Sequence, residues 1–492
     1  LARLKYSGTR AENEMRSSLP DGTARPRPEG LQPRLNNLFW TNLDRFYIVL
    51  CLRMIAARYE NINTGSYCMQ YDLIINGAGP AGLMAAAGAA EAGLQVLLLE
   101  KFEDISIIRR ACCQQFVMDE NYEHENIALE PGRVVFPVNG FEVAYNGPLH
   151  AITETRFASA AGRTVRFRYA DGRPVAIKFD KGLLLAGLLE RCLRAGVEYR
   201  NATLVTAAVD HGDHVYVHGV HDGKAVEFRA AKLLAADGVN SRTLASLGMN
   251  EARTHFATAL CIIYELEGVR DFDPAVMQWH MGMAYGSYAP VILDPSLHGS
   301  IADLVVMGSD QQRPDQIFEA FTRTGPAAGR FKSARVIGRT ACTVKAFTSL
   351  PVPWRGNVLA IGDAAAYVEV EVQGALMCGY HAARAVAAEL QRQSGFEAYT
   401  QWWQDSFEFN SPEALRVAQG YALVPTYTDE EIDYLFALLE GSPLDGAYGQ
   451  YKAPRLLWDG IARHREKIAA ERPELIEKFA QNTQMTLADT FS

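Results

Sequence analysis

Residues 71–101 read YDLIINGAGPAGLMAAAGAAEAGLQVLLLEK, and no other stretch restricts the fold as much. DLIIN is a short apolar run suited to a parallel strand covered on both faces. Gly77, Gly79 and Gly82 follow in G-x-G-x-x-G spacing, with Pro80 and Ala81 between them, and residues 81–92 are alanine-rich and read as a helix. Gly93 ends that helix, and QVLLLE forms a second buried strand ending at Glu100, with Lys101 next. Gly77 permits a tight turn, Gly79 lets the backbone approach a pyrophosphate, and Gly82 lets helix and strand pack closely. The helix N-terminus offers its free N–H groups to the phosphates. Glu100 stands where a carboxylate accepts hydrogen bonds from ribose hydroxyls, and its charge disfavours the 2′-phosphate of NADPH. Strand, turn, helix and acid together specify a dinucleotide site without choosing between FAD and NAD.

Two later stretches make that choice. Residues 232–243 read KLLAADGVNSRT and residues 357–366 read NVLAIGDAAA, each an apolar strand entering a small turn that holds an aspartate. Either aspartate alone is compatible with turn formation or helix capping. With the glycine turn before them, the chain resembles the flavoprotein hydroxylase class over roughly 69–400. That fold is shared by aromatic hydroxylases, flavin halogenases and geranylgeranyl reductases. The resemblance implies an α/β architecture and FAD as cofactor. It places Asp237 and Gly238 near the pyrophosphate and Asp363 on the ribityl chain, with Gly362 allowing close approach. The next helix, which includes Gly374, would aim its N-terminus at the flavin pyrimidine, where it favours negative charge.

Within the class, FDKGLLLAGLLERCLRAGVEY (179–199), DGVNSRTLASLGM and YELEGV (264–269) are most similar to the geranylgeranyl reductase branch. That branch carries an Arg-Cys pair on the substrate side of the flavin. Here RRACCQQ (109–115) puts Arg110, Cys112 and Cys113 near that place. The resemblance implies that both cysteines line the site, with Arg110 favouring a thiolate and Cys378 approaching from the later helix. A redox or acid role and inert lining both stay open for them. Metal binding is disfavoured, because adjacent cysteines do not easily share one tetrahedral ion. The branch's aromatic motif is matched only by Tyr285, Tyr288 and Pro290, its Trp and Phe being absent; the two tyrosines are candidate catalytic or substrate-anchoring residues. Glu369 and Glu371 replace small apolar residues after the GD turn and are expected to face solvent. The W-x-W-x-I-P motif of the halogenases is missing.

The rest of the chain sets the frame. Its 492 residues suffice for two or three structural units. A net charge of −9 argues against nucleic acid as a partner. Eight cysteines without C-x-x-C or zinc spacing fit neither a zinc site nor a disulfide framework, and a reducing, cytoplasmic setting suits them. Residues 1–68 are Pro-, Gly- and Arg-rich in part and are expected to be a non-native or disordered extension, with Met69 as the native start. FYIVLCL (46–52) is far too short to span a membrane. The expected organisation is an FAD-binding domain in three parts (69–133, 181–254 and 336–395). It is interleaved with an antiparallel substrate-domain sheet (134–180 and 255–335) and followed by a C-terminal helical region (396–492). TVRFRYADGRPVAIKF (164–179) reads as a hairpin around a DGRP turn. Trp402 and Trp403 read as core or interface, and His381 as a helix-surface or packing residue.

Three functions fit: reduction of carbon–carbon double bonds in an apolar, isoprenoid-like substrate; flavin-dependent hydroxylation of a small aromatic; or lipid or protein binding without chemistry. The first implies a small-molecule or lipid substrate with peripheral membrane contact. No second glycine turn marks an NAD(P)H domain, so the electron donor is expected to be transient NAD(P)H or a redox protein.

Overall fold

The computed structural model describes residues 70–418 and 423–482; the segment 1–68 and Met69 lie outside the described residues. β1 (Gln70–Asn76) is followed by helix α1 (Pro80–Glu91) and β2 (Val96–Leu99). β1 runs parallel to β2 on one side and to β3 (Lys224–Ala235) on the other. Glu198–Arg200 adds in parallel outside β2, and Val358–Ala360 adds in parallel beside the end of β3. Leu73, Ile74, Ile75 and all of β2 are buried, as a sheet covered on both faces requires.

Eight of the twelve residues of α1 are alanine or glycine, because α2 (Glu371–Leu390) lies directly against it. A Cβ on Gly88 would meet Ala383 Cβ at 2.9 Å, and one on Gly379 would meet the Ala81 carbonyl oxygen at 2.3 Å. The helix expected within 179–199 spans Lys181–Arg194, capped by the Asp180 carboxylate, which accepts the Leu183 N–H.

The second large sheet has seven strands. β4 (His255–Glu267) pairs with β5 (Arg335–Phe347) on one side and with Ile301–Gly308 on the other. Val291–Pro295, Val276–His280, Glu154–Ala158 and Thr164–Phe167 complete it. Its two faces have different partners. Ile262, Tyr264 and Leu266 pack with Phe321 and Phe331, on the short helices after residue 313. On the opposite face Cys261, Ile263, Ile292, Val305 and Met307 meet Ala111, Cys113 and Tyr448.

The DGRP turn forms, with the Gly172 N–H donating to the Tyr169 carbonyl at 3.1 Å, but the hairpin does not. Thr164–Phe167 pairs with Glu154–Ala158, whereas Ala176–Phe179 pairs with Leu149–Ile152 and Gln115–Val117. Alternation sets which face a strand buries, not which neighbour it takes. Trp403 is fully buried and donates to the Leu350 carbonyl. His381 stacks on Trp402 at 4.0 Å, and burial lowers its pKa to about 4, so it is a neutral packing residue. Among the described residues no helix is long and apolar enough to cross a membrane.

Candidate functional site

Strand register brings the three motifs together. Asn76 is level with Ala235, and Ala235 with Ala360. The turns that follow therefore leave three adjacent parallel strands side by side, at the carboxyl edge where such sheets bind ligands. Gly77 has φ +109°, and a Cβ there would strike the Ala236 carbonyl oxygen at 2.4 Å. A Cβ on Gly82 would lie 1.8 Å from the Gly77 carbonyl oxygen. These two glycines are required by the fold. Gly79 differs: a Cβ there meets nothing within 4 Å, and Pro80 opens α1 just beyond it. The space over this helix N-terminus is open and fits a pyrophosphate. Ala81 is buried beneath Gly362, which has φ +62° and would place a Cβ 3.3 Å from Ala81 Cβ.

Glu100 is buried and accepts the Ala78 N–H at 2.8 Å through Oε2 and the Phe102 N–H at 3.0 Å through Oε1. It braces the glycine turn, and each oxygen keeps a lone pair for a ribose hydroxyl. Lys101 is exposed, its ammonium 5.1 Å from the Phe102 ring. The Asp237 carboxylate turns inward, accepting the Ser241 hydroxyl at 2.6 Å and the Arg242 and Thr243 N–H groups. The capping role is the one its geometry displays. Gly238 beside it has φ +79°, the left-handed conformation that favours glycine, and faces Arg110 Nη1. Asp363 Oδ1 accepts the Val370 N–H at 3.0 Å, which binds the GD turn to the start of α2. Burial raises the Asp363 pKa, with Val370, Arg110 and Lys181 opposing. Gly374 serves packing instead of the cleft, because a Cβ there would meet Phe407 at 2.9 Å.

The segment carrying the paired cysteines crosses this edge. Lys181 Nζ donates to Cys112 Sγ at 3.3 Å. Desolvation pulls Lys181 down, but Cys112 and Asp363 outweigh it and hold the ammonium above its ordinary value. Cys113 goes the other way from the thiolate expectation. Burial raises its pKa well above the usual range, Asp294 adds to this, and Lys178 only partly offsets it. Its thiol stays protonated, and its carbonyl accepts Lys178 Nζ at 2.9 Å. Lys178 is buried together with Asp294, which it meets at 2.5 Å, and lies 3.5 Å from Asp303. Gln115 Nε2 donates to both oxygens of Asp294 at 2.8 Å and its Oε1 accepts the Tyr448 hydroxyl.

Tyr285 and Tyr288 do not join this group. Tyr285 is buried on the far face of the seven-stranded sheet, its hydroxyl donating to the Ser159 carbonyl. Tyr288 is exposed a few residues on, with its amide donating to Gln312. Tyr448 is the tyrosine beside Cys113; at 333 positions from Gln115 it had no local signal. Cys378 is fully buried inside α2, where desolvation pushes its thiol up to about 12.

Glu369 is exposed, as expected, with Asp363 and Arg110 near it, and Glu371 is half-buried at the first residue of α2. Desolvation raises Glu369 to about 7, Asp363 adds to this, and Arg110 opposes it. Glu371 is raised well above its ordinary value by desolvation and then by Glu369. Glu371 therefore holds its proton at neutral pH, and Glu369 is poised to exchange one. A folded-state pKa of about 7 against an ordinary 4.5 means that the native chain binds the proton more tightly than the unfolded one. Stability contributed by this group is lost as pH rises from about 4.5 to about 7. Glu369→Gln is expected to flatten that decline in urea unfolding across the window; an unchanged slope would place the titration elsewhere.

A family model described as FAD binding domain matches residues 70–370. Digeranylgeranylglycerophospholipid reductase of Methanosarcina mazei is 25% identical over 414 residues, covering 79% of this chain and 95% of that protein. Digeranylgeranylglycerophospholipid reductase 2 of Methanopyrus kandleri is 26% identical over 446 residues, covering 84% of this chain and 99% of its own. Among solved structures, a geranylgeranyl bacteriochlorophyll reductase-like protein from Thermoplasma acidophilum has a TM-score of 0.64 at 17% identity, over 84% of this chain and 99% of that one. A triple mutant of a flavin-dependent brominase has a TM-score of 0.53 at 18% identity, over 80% of this chain and 100% of that one.

Proposed function

The chain belongs to the FAD-binding domain family, and on that premise we propose that this FAD-dependent oxidoreductase reduces carbon–carbon double bonds of an isoprenoid lipid. One observation carries the reading: relatives matched over nearly their whole length are reductases named for a digeranylgeranyl lipid. The cleft chemistry supports it. When bound, reduced FAD supplies a hydride. The turn at Gly77, Gly79 and Gly82 and the N-terminus of α1 would hold the pyrophosphate. Beside Cys113 the sheet carries Ile263, Ile292, Val305 and Met307, an apolar cluster that keeps water from that side of the cleft and suits a hydrocarbon substrate. Glu371 holds the proton that saturation of a double bond consumes. Peripheral contact with a membrane and a transient donor, NAD(P)H or a redox protein, belong to the same proposal.

The test is anaerobic incubation of the FAD-loaded chain with dithionite and a digeranylgeranyl glycerophospholipid, followed by mass spectrometry of the lipid. A gain of two hydrogens per reduced double bond is expected, and Glu371→Gln should retain FAD but slow the reaction by about 10²-fold or more, the scale of a lost general acid. An unchanged lipid mass would sink the reading. Hydroxylation of an aromatic substrate on admission of oxygen would put a monooxygenase in its place.

A further inference from the structure

We propose that Cys261 and Cys342 form a reversible dithiol–disulfide couple on the wall of the flavin cleft, one that exchanges with small disulfides and thiols of the glutathione class. The inference does not depend on the reductase reading. The two residues are 81 positions apart in sequence but directly opposite each other in the antiparallel pair β4–β5. Opposed residues in such a pair have Cα atoms about 4.5–5.5 Å apart and side chains on the same face. That separation falls inside the window of about 4.4–6.8 Å that a disulfide spans. The shared face is the one on which Ile263 and Met307 pack with Cys113, opposite the Phe321 side, and Cys342 reaches the Ala111–Arg110 segment at its edge.

Access and reactivity follow from the surroundings. Cys261 and Cys342 are half-buried, within reach of a small reagent, whereas Cys192 and Cys378 are fully buried. Cys342 Sγ lies 3.9 Å from the Ala111 carbonyl oxygen, beside Arg110. A hydrogen bond from the Cys261 thiol lowers the Cys342 pKa, burial opposes this, and the Arg110 charge lowers it further. The same hydrogen bond holds Cys261 up. The contact between the two thiols and the nearby Arg110 favour loss of a proton from Cys342 over Cys261, which makes Cys342 the attacking sulfur and Cys261 the resolving one.

The exchange balances without any further reagent. Cys342 thiolate attacks one sulfur of a glutathione disulfide, forming a mixed disulfide and releasing one glutathione thiolate. Cys261 then attacks Cys342 Sγ, forming the Cys261–Cys342 bond and releasing the second. Two protein thiols are oxidised, one small disulfide is reduced to two thiols, and the Cys261 proton leaves with the second glutathione. Oxidation staples β4 to β5 and removes the Cys342 thiol from beside Arg110, leaving Asp363 and Glu369 as the acidic side chains near that guanidinium.

The test uses the full chain loaded with FAD and kept anaerobic, treated with oxidised glutathione, quenched with an alkylating agent and mapped by peptide mass spectrometry. The expected product joins the Cys261 and Cys342 peptides with loss of two hydrogens, and dithiothreitol reverses it. Cys261→Ser should trap a glutathione adduct on Cys342, and Cys342→Ser should leave Cys261 alkylated and unmodified by glutathione. Retained flavin absorbance reports that each variant is folded. Recovery of both residues as alkylated thiols after treatment overturns the proposal, as do adducts confined to Cys112 or Cys113.

Discussion

Gly79→Leu is expected to leave the FAD-free chain folded while lowering its affinity for FAD by about 100-fold or more. No atom lies within 4 Å of a Cβ built on Gly79, and its φ of −74° is open to any residue. The stability cost should stay within about 1 kcal/mol, the scale of a changed helix N-cap. The leucine side chain would instead occupy the space a pyrophosphate needs over the first turn of α1. Charge-assisted hydrogen bonds to backbone N–H groups contribute about 1.5–3 kcal/mol each, and losing one or two of them gives the stated factor. Gly82→Ala is the contrasting control. Its Cβ would sit 1.8 Å from the Gly77 carbonyl oxygen, so it should lower the melting temperature of the FAD-free chain itself. Calorimetric titration with FAD and thermal unfolding without it separate the two effects. Wild-type affinity in Gly79→Leu would remove the pyrophosphate from the α1 N-terminus.

The cofactor half of the site was legible in the sequence because its chemistry is local. A glycine that needs φ +109° at Gly77 and an acid closing the next strand at Glu100 lie within one strand–helix–strand unit, and the parallel sheet sets the DG and GD turns beside them. The substrate half was not legible, because sheet register assembles it. Cys261 meets Cys342 only after distant strands have paired, and Tyr448 meets Gln115 only when a loop 333 positions away folds back, so no spacing rule could join them. Tyr285 was misplaced for the same reason. Its partial motif match says nothing about which face of a seven-stranded sheet receives the ring, and the ring packs against Phe321 and His280 on the outer one. Lys178 was hidden by an ordinary strand pattern, since a charged residue inside AIKF reads as facing out.

That lysine carries the second large expected effect. Lys178→Met should destabilise the chain by about 3–5 kcal/mol at neutral pH, the cost of removing one partner from a buried ion pair. Lys178 Nζ reaches Asp294 at 2.5 Å, the Cys113 carbonyl at 2.9 Å and Asp303 at 3.5 Å. It therefore ties the strand Ala176–Phe179 to two strands of the other sheet and to the cysteine segment. Methionine leaves Asp294 fully buried against Asp303 without a cation. The sign of the pH dependence follows. Burial already lifts Asp294 to about 7 from an ordinary 3.8, with Lys178 opposing, so its contribution to stability falls as pH rises through that window. Without the ammonium the carboxyl rises further, and the deficit of the variant should deepen toward about pH 8 and shrink toward about pH 5. Adding Asp294→Asn should recover part of the loss at the higher pH, because the amide needs no countercharge while Gln115 can still pair with its oxygen. Urea unfolding of the three proteins at both pH values decides the matter. If Lys178→Met unfolds at the wild-type midpoint at both, the ammonium compensates nothing, and apolar packing through Ala176, Ile263 and Val305 alone joins the sheet to the cysteine segment.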